Sequence, residues 1–218
     1  MAIDADVPVL PDGDFNGPDY NFDYIAQNIF FPIYAVIADD IITRTNKITG
    51  RMIDIGCGGG QLGMALLDKT ELRGWFVDTS ESALRTAESR AKERGLAGRS
   101  VFFCQDVHCM EFTDDFADLI VSRGSFFVWH DLEKALLEIY RVLAPCGRAY
   151  IGGGMGNSEL AASIRIKMQA VIPGWPGQVM RRSAGISNEL LKEIFDRNGI
   201  KHEIIDNEEQ GRWIIMSK

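Results

Sequence analysis

Over residues 21–46, Ile25, Ile29, Ile33, Ile37 and Ile41 recur every four positions, a spacing that predicts helix. Pro32 interrupts the run and predicts two shorter helices, because its ring removes a backbone donor and crowds the preceding turn. The rhythm then changes. "RMIDIG", "LRGWFVD", "SVFFCQD", "FADLIVSRG" and "RAYIGGG" are short apolar runs that read as strands. Between them, "GQLGMALLDKT", "SESALRTAESRAKERGL" and "LEKALLEIYRVL" carry helical spacing, with Ser80 as an N-cap and Gly95 as an exit for the second. Strands alternating with helices in this way predict a parallel, doubly wound α/β sheet closed by right-handed crossovers.

The end of the chain breaks the alternation. After the helix "SNELLKEIFDRNG", the strands "IKHEIIDN" and "GRWIIMSK" are separated only by "EEQ". So short a link permits only an antiparallel pair. The expected fold is therefore a mostly parallel seven-stranded sheet with an antiparallel strand near one edge. Residues 155–185 are too long for a simple connection and are expected to form a helix and a Gly/Pro-flanked cap over a pocket. The "IGGGMGN" run before them lacks the Lys-Ser/Thr of a phosphate cradle and is expected to be a flexible turn.

Composition narrows the class. A chain of 218 residues, 46% hydrophobic, supports one well-buried core. The expected division is a flexible arm over 1–20 and a single domain over 21–218, with 21–48 as an N-terminal helical lid. A net charge of −8 argues against a general nucleic-acid surface, and no apolar run approaches the roughly 20 residues of a membrane span. The acidic, Pro/Gly-rich N-terminus resembles neither a secretory signal nor a transit peptide. Cys57, Cys104, Cys109 and Cys146 form no C-x-x-C pair, and three histidines give no expected metal cluster. A cytoplasmic protein with buried, reduced thiols is the expectation.

"RMIDIGCGGGQLG" carries the candidate chemistry, and it fits two fingerprints. Gly58, Gly60 and Gly63 spell the dinucleotide pattern G-x-G-x-x-G, whereas Asp54, Gly56, Gly58 and Gly60 place a carboxylate in the strand before the glycines. If the strand ends at Ile55, the first glycine is Gly56 and the third dinucleotide position falls on Gln61. A carboxylate inside the strand has no partner in a nicotinamide site but suits a cationic amino group. Asp78 ends the second strand, where a ribose needs an acceptor, and Asp106 follows the third, placed for an adenine amino group. Three carboxylates at three strand ends describe a nucleoside with an ammonium-bearing tail, S-adenosylmethionine.

"IDIGCGGGQLG", "GWFVDTSESALRTAESRA", "CQDVHCMEF", "FADLIVSRGSFFVWHD" and "EIYRVLAPCGRAYI" together resemble the successive motifs of class I S-adenosylmethionine-dependent methyltransferases. The nearest likeness is to the small-molecule branch that includes ubiquinone and menaquinone biosynthesis enzymes. The resemblance spans about residues 22–155 and implies Asp54, Gly56, Gly58 and Gln61 around the methionine portion. It further implies Asp78, Thr79 and Ser80 at the ribose, Asp106 and Val107 at the adenine, and Ser122 with Arg123 closing the site. Cys146 departs from the family's Pro-Gly-Gly turn, with an effect expected on turn shape only.

Around that site, Tyr24 and Tyr34 are candidates to cover the methionine end. Phe126, Phe127, Trp129 and Trp175 are candidates for an apolar acceptor pocket, or equally core. His130 is the candidate proton acceptor, since imidazole titrates near neutrality; next to Asp131 it reads more readily as part of a helix start. His108 and His202 read as structural or exposed. The expected activity is methyl transfer to a small-molecule acceptor, with no nucleic-acid or membrane partner and S-adenosylhomocysteine as product. A non-catalytic binder of the same ligand and a nicotinamide-dependent oxidoreductase are the alternatives.

Overall fold

A computed structural model describes residues 22–172, 175 and 185–218; the arm expected over 1–20 and much of the cap after residue 172 lie outside them. Helix α1 (Phe22–Asn28) turns by 75° into α2 (Phe31–Thr45). Pro32 falls in the first turn of α2, where its missing N–H has no helical acceptor to lose. All five isoleucines of the four-residue repeat are buried. No single described helix is long and apolar enough to cross a membrane.

The sheet follows: β1 (Thr49–Ile55), α3 (Gln61–Leu67), β2 (Glu71–Asp78), α4 (Glu81–Glu93), β3 (Ser100–Cys104), β4 (Ala117–Arg123), α5 (Leu132–Val142), β5 (Leu143–Gly153), α6 (Ser158–Val171), α7 (Asn188–Arg197), β6 (Lys201–Asn207) and β7 (Gly211–Ser217). Strand order is β3-β2-β1-β4-β5-β7-β6. Strands β1 to β5 pair in parallel, and β7 runs antiparallel between β5 and β6. Ser80 and Asp131 cap α4 and α5 through side chains that accept from Ala83 N and Lys134 N. Strand order reverses between β1 and β4, which opens a ligand crevice at the carboxyl ends of those strands.

Alternation along the strands sorts the side chains into two cores. Met52, Phe76 and Val121 face α1–α4 and α6, whereas Ile53, Val77 and Ile120 face α5 and α7. Asp54 is in register with Phe76 on one side and Val121 on the other. Asp54, Asp78 and Arg123 therefore share the face of α1–α4, two positions beyond Met52, Phe76 and Val121.

The glycine-rich loop resolves the double fingerprint. Strand β1 ends at Ile55, and Gly56, Gly58 and Gly60 all hold left-handed backbone, with φ of 62°, 52° and 77°. Gly63 is different, because it lies inside α3 and is demanded by packing. A Cβ there would sit 2.5 Å from Phe76 Cε1 and 2.8 Å from Asp54 Oδ2. Gly63→Ala is expected to destabilise the fold by about 1–3 kcal/mol through overpacking, read as a lower urea midpoint at unchanged slope. An unchanged midpoint would mean Phe76 has room to yield.

Two expectations need correction. Gly152 and Gly153 belong to β5, and the run is not a loose turn: Cβ atoms on Gly152 and Gly154 would lie 2.1 and 2.0 Å from the carbonyl oxygens of Arg212 and Gln210. The glycines are there because the backbone entering β7 passes directly against them. The thiols are all free, yet only Cys57 is buried: Cys104 ends β3, Cys109 lies in the loop after it, and Cys146 sits in the irregular first part of β5. Cys146 holds left-handed backbone, with φ of 63°, where the β5 register shifts.

Candidate functional site

At the carboxyl ends of β1 and β4 lies a cavity of about 40 Å³ lined by Phe22, Tyr34, Asp54, the loop residues 56–58, Gln61, Leu62 and Arg123. Asp54 is 2% exposed and accepts one hydrogen bond at Oδ2, from Gly63 N at 2.9 Å. It thus serves as a remote cap for the first turn of α3. Burial pushes its carboxyl up to about 7, against the Gly63 hydrogen bond and helped by the charge of Asp78.

Arg123 brings the opposite charge to the same cavity. Its guanidinium lies 5.1 Å from the Phe30 ring centroid and 5.3 Å from that of Tyr34. One nitrogen donates to Gly154 O at 3.2 Å, while Nε is shut off from solvent with no acceptor among the described residues. Burial lowers the pKa of Arg123, and the Tyr34 hydroxyl beside it opposes that shift. Among the described residues neither Asp54 nor Arg123 has an ion-pair partner, so one cavity wall holds an acidic and a basic group that do not neutralise each other. Burial likewise raises the Tyr34 phenol, and it holds Cys57 well above the usual thiol range, where it stays protonated.

Helix α1 is fastened across the glycine loop. Asp23 receives Arg90 of α4 at 3.0 and 3.2 Å, and Gln61 Nε2 at 3.0 Å. Arg90 also donates to Gly59 O. The side-chain amide of Gln61, expected near a ligand, is thus committed to α1, although the residue still lines the cavity. Neither Asp23 nor Arg90 stands out in the sequence, because they lie 67 positions apart on helices with ordinary polar faces.

Further along the crevice, Asp78 accepts from Gly58 N at 2.8 Å and Ser80 N at 2.9 Å, joining the glycine loop to the end of β2. Thr79 is exposed and its carbonyl faces Cys104 Sγ. Asp106 follows β3, and His108 N and Nδ1 both converge on its Oδ1. Those contacts, the backbone N–H first, hold the Asp106 carboxyl below the usual range. Val107 is buried.

Other sequence candidates fall elsewhere. Ser122 is fully buried on the opposite face, bonded to Ser125 Oγ at 2.6 Å, as its odd position relative to Arg123 requires. Tyr24 is half-buried against the α1–α4 core and does not line the cavity, whereas Tyr34 does. Phe126, Phe127 and Trp129 pack on the α5 side and Trp175 on the α6 side, so the structure does not gather them into one pocket. His130 lies with its ring centroid 3.8 Å from that of His108, away from the 40 Å³ cavity. Donor atoms of Asp106, His108 and His130 lie within 4.8 Å of one another, brought together by the loops after β3 and β4.

Known proteins match this arrangement. Residues 52–147 fit the family model described as a methyltransferase domain. A demethylmenaquinone methyltransferase of Thermus thermophilus is 34% identical over 108 residues, 48% of this chain and 47% of that protein. The chain spans about half the length of the curated relatives it matches. A crystal structure from Methanococcus maripaludis, assigned as an S-adenosyl-L-methionine-dependent methyltransferase, is 39% identical and superposes with a TM-score of 0.86 over 91% of this chain and 90% of that one. One from Aquifex aeolicus, a SAM-dependent methyltransferase at 14% identity and a TM-score of 0.63 over 90% and 97% of the two chains, shares the fold. With a near-full-length relative, the family's sheet order and a loop that presents carboxylates at successive strand ends, this chain belongs to the class I S-adenosylmethionine-dependent methyltransferases, whose cofactor is S-adenosylmethionine and whose cofactor product is S-adenosylhomocysteine.

Proposed function

We propose that this protein transfers the methyl group of S-adenosylmethionine to a small-molecule acceptor. The observation that carries the reading is the Asp54 carboxyl and the Arg123 guanidinium on the wall of one cavity, neither with an ion-pair partner among the described residues. An α-amino acid head has a cation and an anion on one carbon, and it neutralises both. Asp54 takes the ammonium, and Arg123, beside the Tyr34 hydroxyl, takes the carboxylate. Gly56 and Gly58 keep the loop backbone close, and Gln61 acts indirectly by holding α1 through Asp23. Asp78 has lone pairs left for the ribose hydroxyls, with Thr79 and Ser80 at its edge. Asp106 and Val107 border the adenine. Residues 21–48 serve as a lid fastened by Asp23.

The cofactor supplies a sulfonium methyl: as the acceptor's electron pair bonds to that carbon, the C–S bond breaks and its pair stays on sulfur as a neutral thioether. The chain's part is alignment and exclusion of water. No general base is assigned at the cavity. Asp54 is engaged by the ammonium, and burial keeps the Tyr34 and Cys57 protons in place. An acceptor that is already nucleophilic suits such a site. The relative from Thermus thermophilus is named a demethylmenaquinone methyltransferase, which supports a small-molecule rather than macromolecular acceptor, and the net charge of −8 weighs against nucleic acid.

Two measurements test the reading. Titration calorimetry with S-adenosylhomocysteine is expected to show binding at one site per chain. Incubation of S-adenosylmethionine with quinols, phenols and small amines is expected to release S-adenosylhomocysteine with at least one acceptor class. Folded protein that binds neither cofactor form would overturn the reading. Binding without turnover across all acceptor classes would leave a ligand-binding protein and remove the enzyme.

A further inference from the structure

We propose that His108 is a positioning residue that holds Asp106 in place to read the amino group of the adenine, and so sets the protein's selectivity for an adenine nucleoside. The inference rests on the cofactor reading above and concerns a residue that touches no ligand itself.

Hydrogen-bond polarity fixes the arrangement. Asp131 N points at His108 Nε2 at 3.3 Å, and a backbone N–H can only donate, so Nε2 carries no proton. The ring proton is therefore on Nδ1, which faces Asp106 Oδ1. His108 N donates to the same oxygen at 2.8 Å. One carboxylate oxygen is thus held by two donors, while Oδ2 has no partner among the described residues. The His108 side chain is 6% exposed and that of Asp106 is 51% exposed, so a buried ring aims a half-open carboxylate. The ring is anchored in turn, because Asp131 is the N-cap of α5 and His130 packs on its face.

The same geometry argues against reading Asp106, His108 and His130 as a cation site. A metal on His108 Nδ1 would move the ring proton to Nε2, where it would face the Asp131 N–H donor to donor. Positioning uses both ring nitrogens as they stand.

Two substitutions separate the ring's duties. Asn reaches the place of Nδ1 and can still donate to Asp106; Gln reaches the place of Nε2, accepts from Asp131 N and leaves Asp106 without its side-chain donor. The readout is the ratio of dissociation constants for S-inosylhomocysteine and S-adenosylhomocysteine, since inosine presents a carbonyl where adenine presents an amino group. Wild type is expected to prefer the adenosyl ligand by about 10- to 100-fold, the scale of one hydrogen bond to a charged group. His108→Asn is expected to stay within about threefold of that ratio, and His108→Gln to reduce it to less than about threefold, on the same scale. Equal weakening of both ligands in the Gln variant, with the ratio intact, would make His108 merely structural and overturn the proposal. A wild type that binds both ligands equally would overturn it as well. A wild type that binds neither would instead sink the cofactor reading on which it rests.

Discussion

Arg123→Met is expected to weaken S-adenosylhomocysteine by about 2–4 kcal/mol, roughly 30- to 1000-fold, the range for removing one partner of a buried charge pair. Methionine roughly preserves the bulk under Phe30 and Tyr34, so the loss isolates the guanidinium's charge and fork. Without ligand, the protein carries a cation whose buried Nε has no acceptor among the described residues, a costly state. The substitution removes that cost, so the free variant is expected to melt no lower than wild type. Arg123→Lys keeps the charge but loses the planar fork, and an intermediate affinity is expected. Calorimetry with 5′-methylthioadenosine supplies the control, because it has the nucleoside and thioether without the amino acid. Its affinity is expected to change by less than about threefold, within the scale of interactions not made. Equal losses for both ligands would place Arg123 elsewhere than at the carboxylate.

That site was only half legible in the sequence, and the division has a physical basis. Asp54, Asp78 and Asp106 stand at strand ends that apolar runs define, and period-two alternation places Asp54 and Asp78 on one face. The same alternation sends Ser122 away from Arg123, a signal present in "IVSRG" that motif matching alone overlooks. The double reading of the glycines ended once packing was known: Gly63 is required by Phe76 and Asp54, and the pattern G-x-G-x-x-G arises here without a dinucleotide register. Clamp and anchor were out of reach. Asp23 with Arg90, and His108 with Asp131, join loops and helices 67 and 23 positions apart through one residue pair each. No periodicity encodes a contact of that kind. The aromatic residues stayed ambiguous for the opposite reason, since size and hydrophobicity mark a core and a pocket alike.

Asp54→Asn is expected to make the free protein more stable and the cofactor weaker, with pH deciding how much. The folded carboxyl titrates at about 7 and the unfolded one near 3.8. Between those values the folded state holds a proton that the unfolded chain releases, so rising pH costs folding stability until the carboxyl ionises in both states. Above pH 7 the full penalty is roughly 4 kcal/mol by linkage, and below pH 3.8 it is absent. Asparagine keeps an oxygen for Gly63 N and never ionises. The variant's gain in Tm is therefore expected to be several degrees at pH 8 and to shrink as pH falls toward 4. Binding runs the other way. An ammonium favours the carboxylate, so the ligand must displace the Asp54 proton below pH 7. Wild-type affinity is expected to drop by about tenfold per pH unit there, with up to one proton released per ligand. Calorimetry in two buffers of different ionisation enthalpy measures that proton. The asparagine variant is expected to bind at least about 30-fold more weakly at pH 7.5 and to release none. An equal pH slope in both proteins would assign the titration to another group and remove Asp54 from the ammonium site.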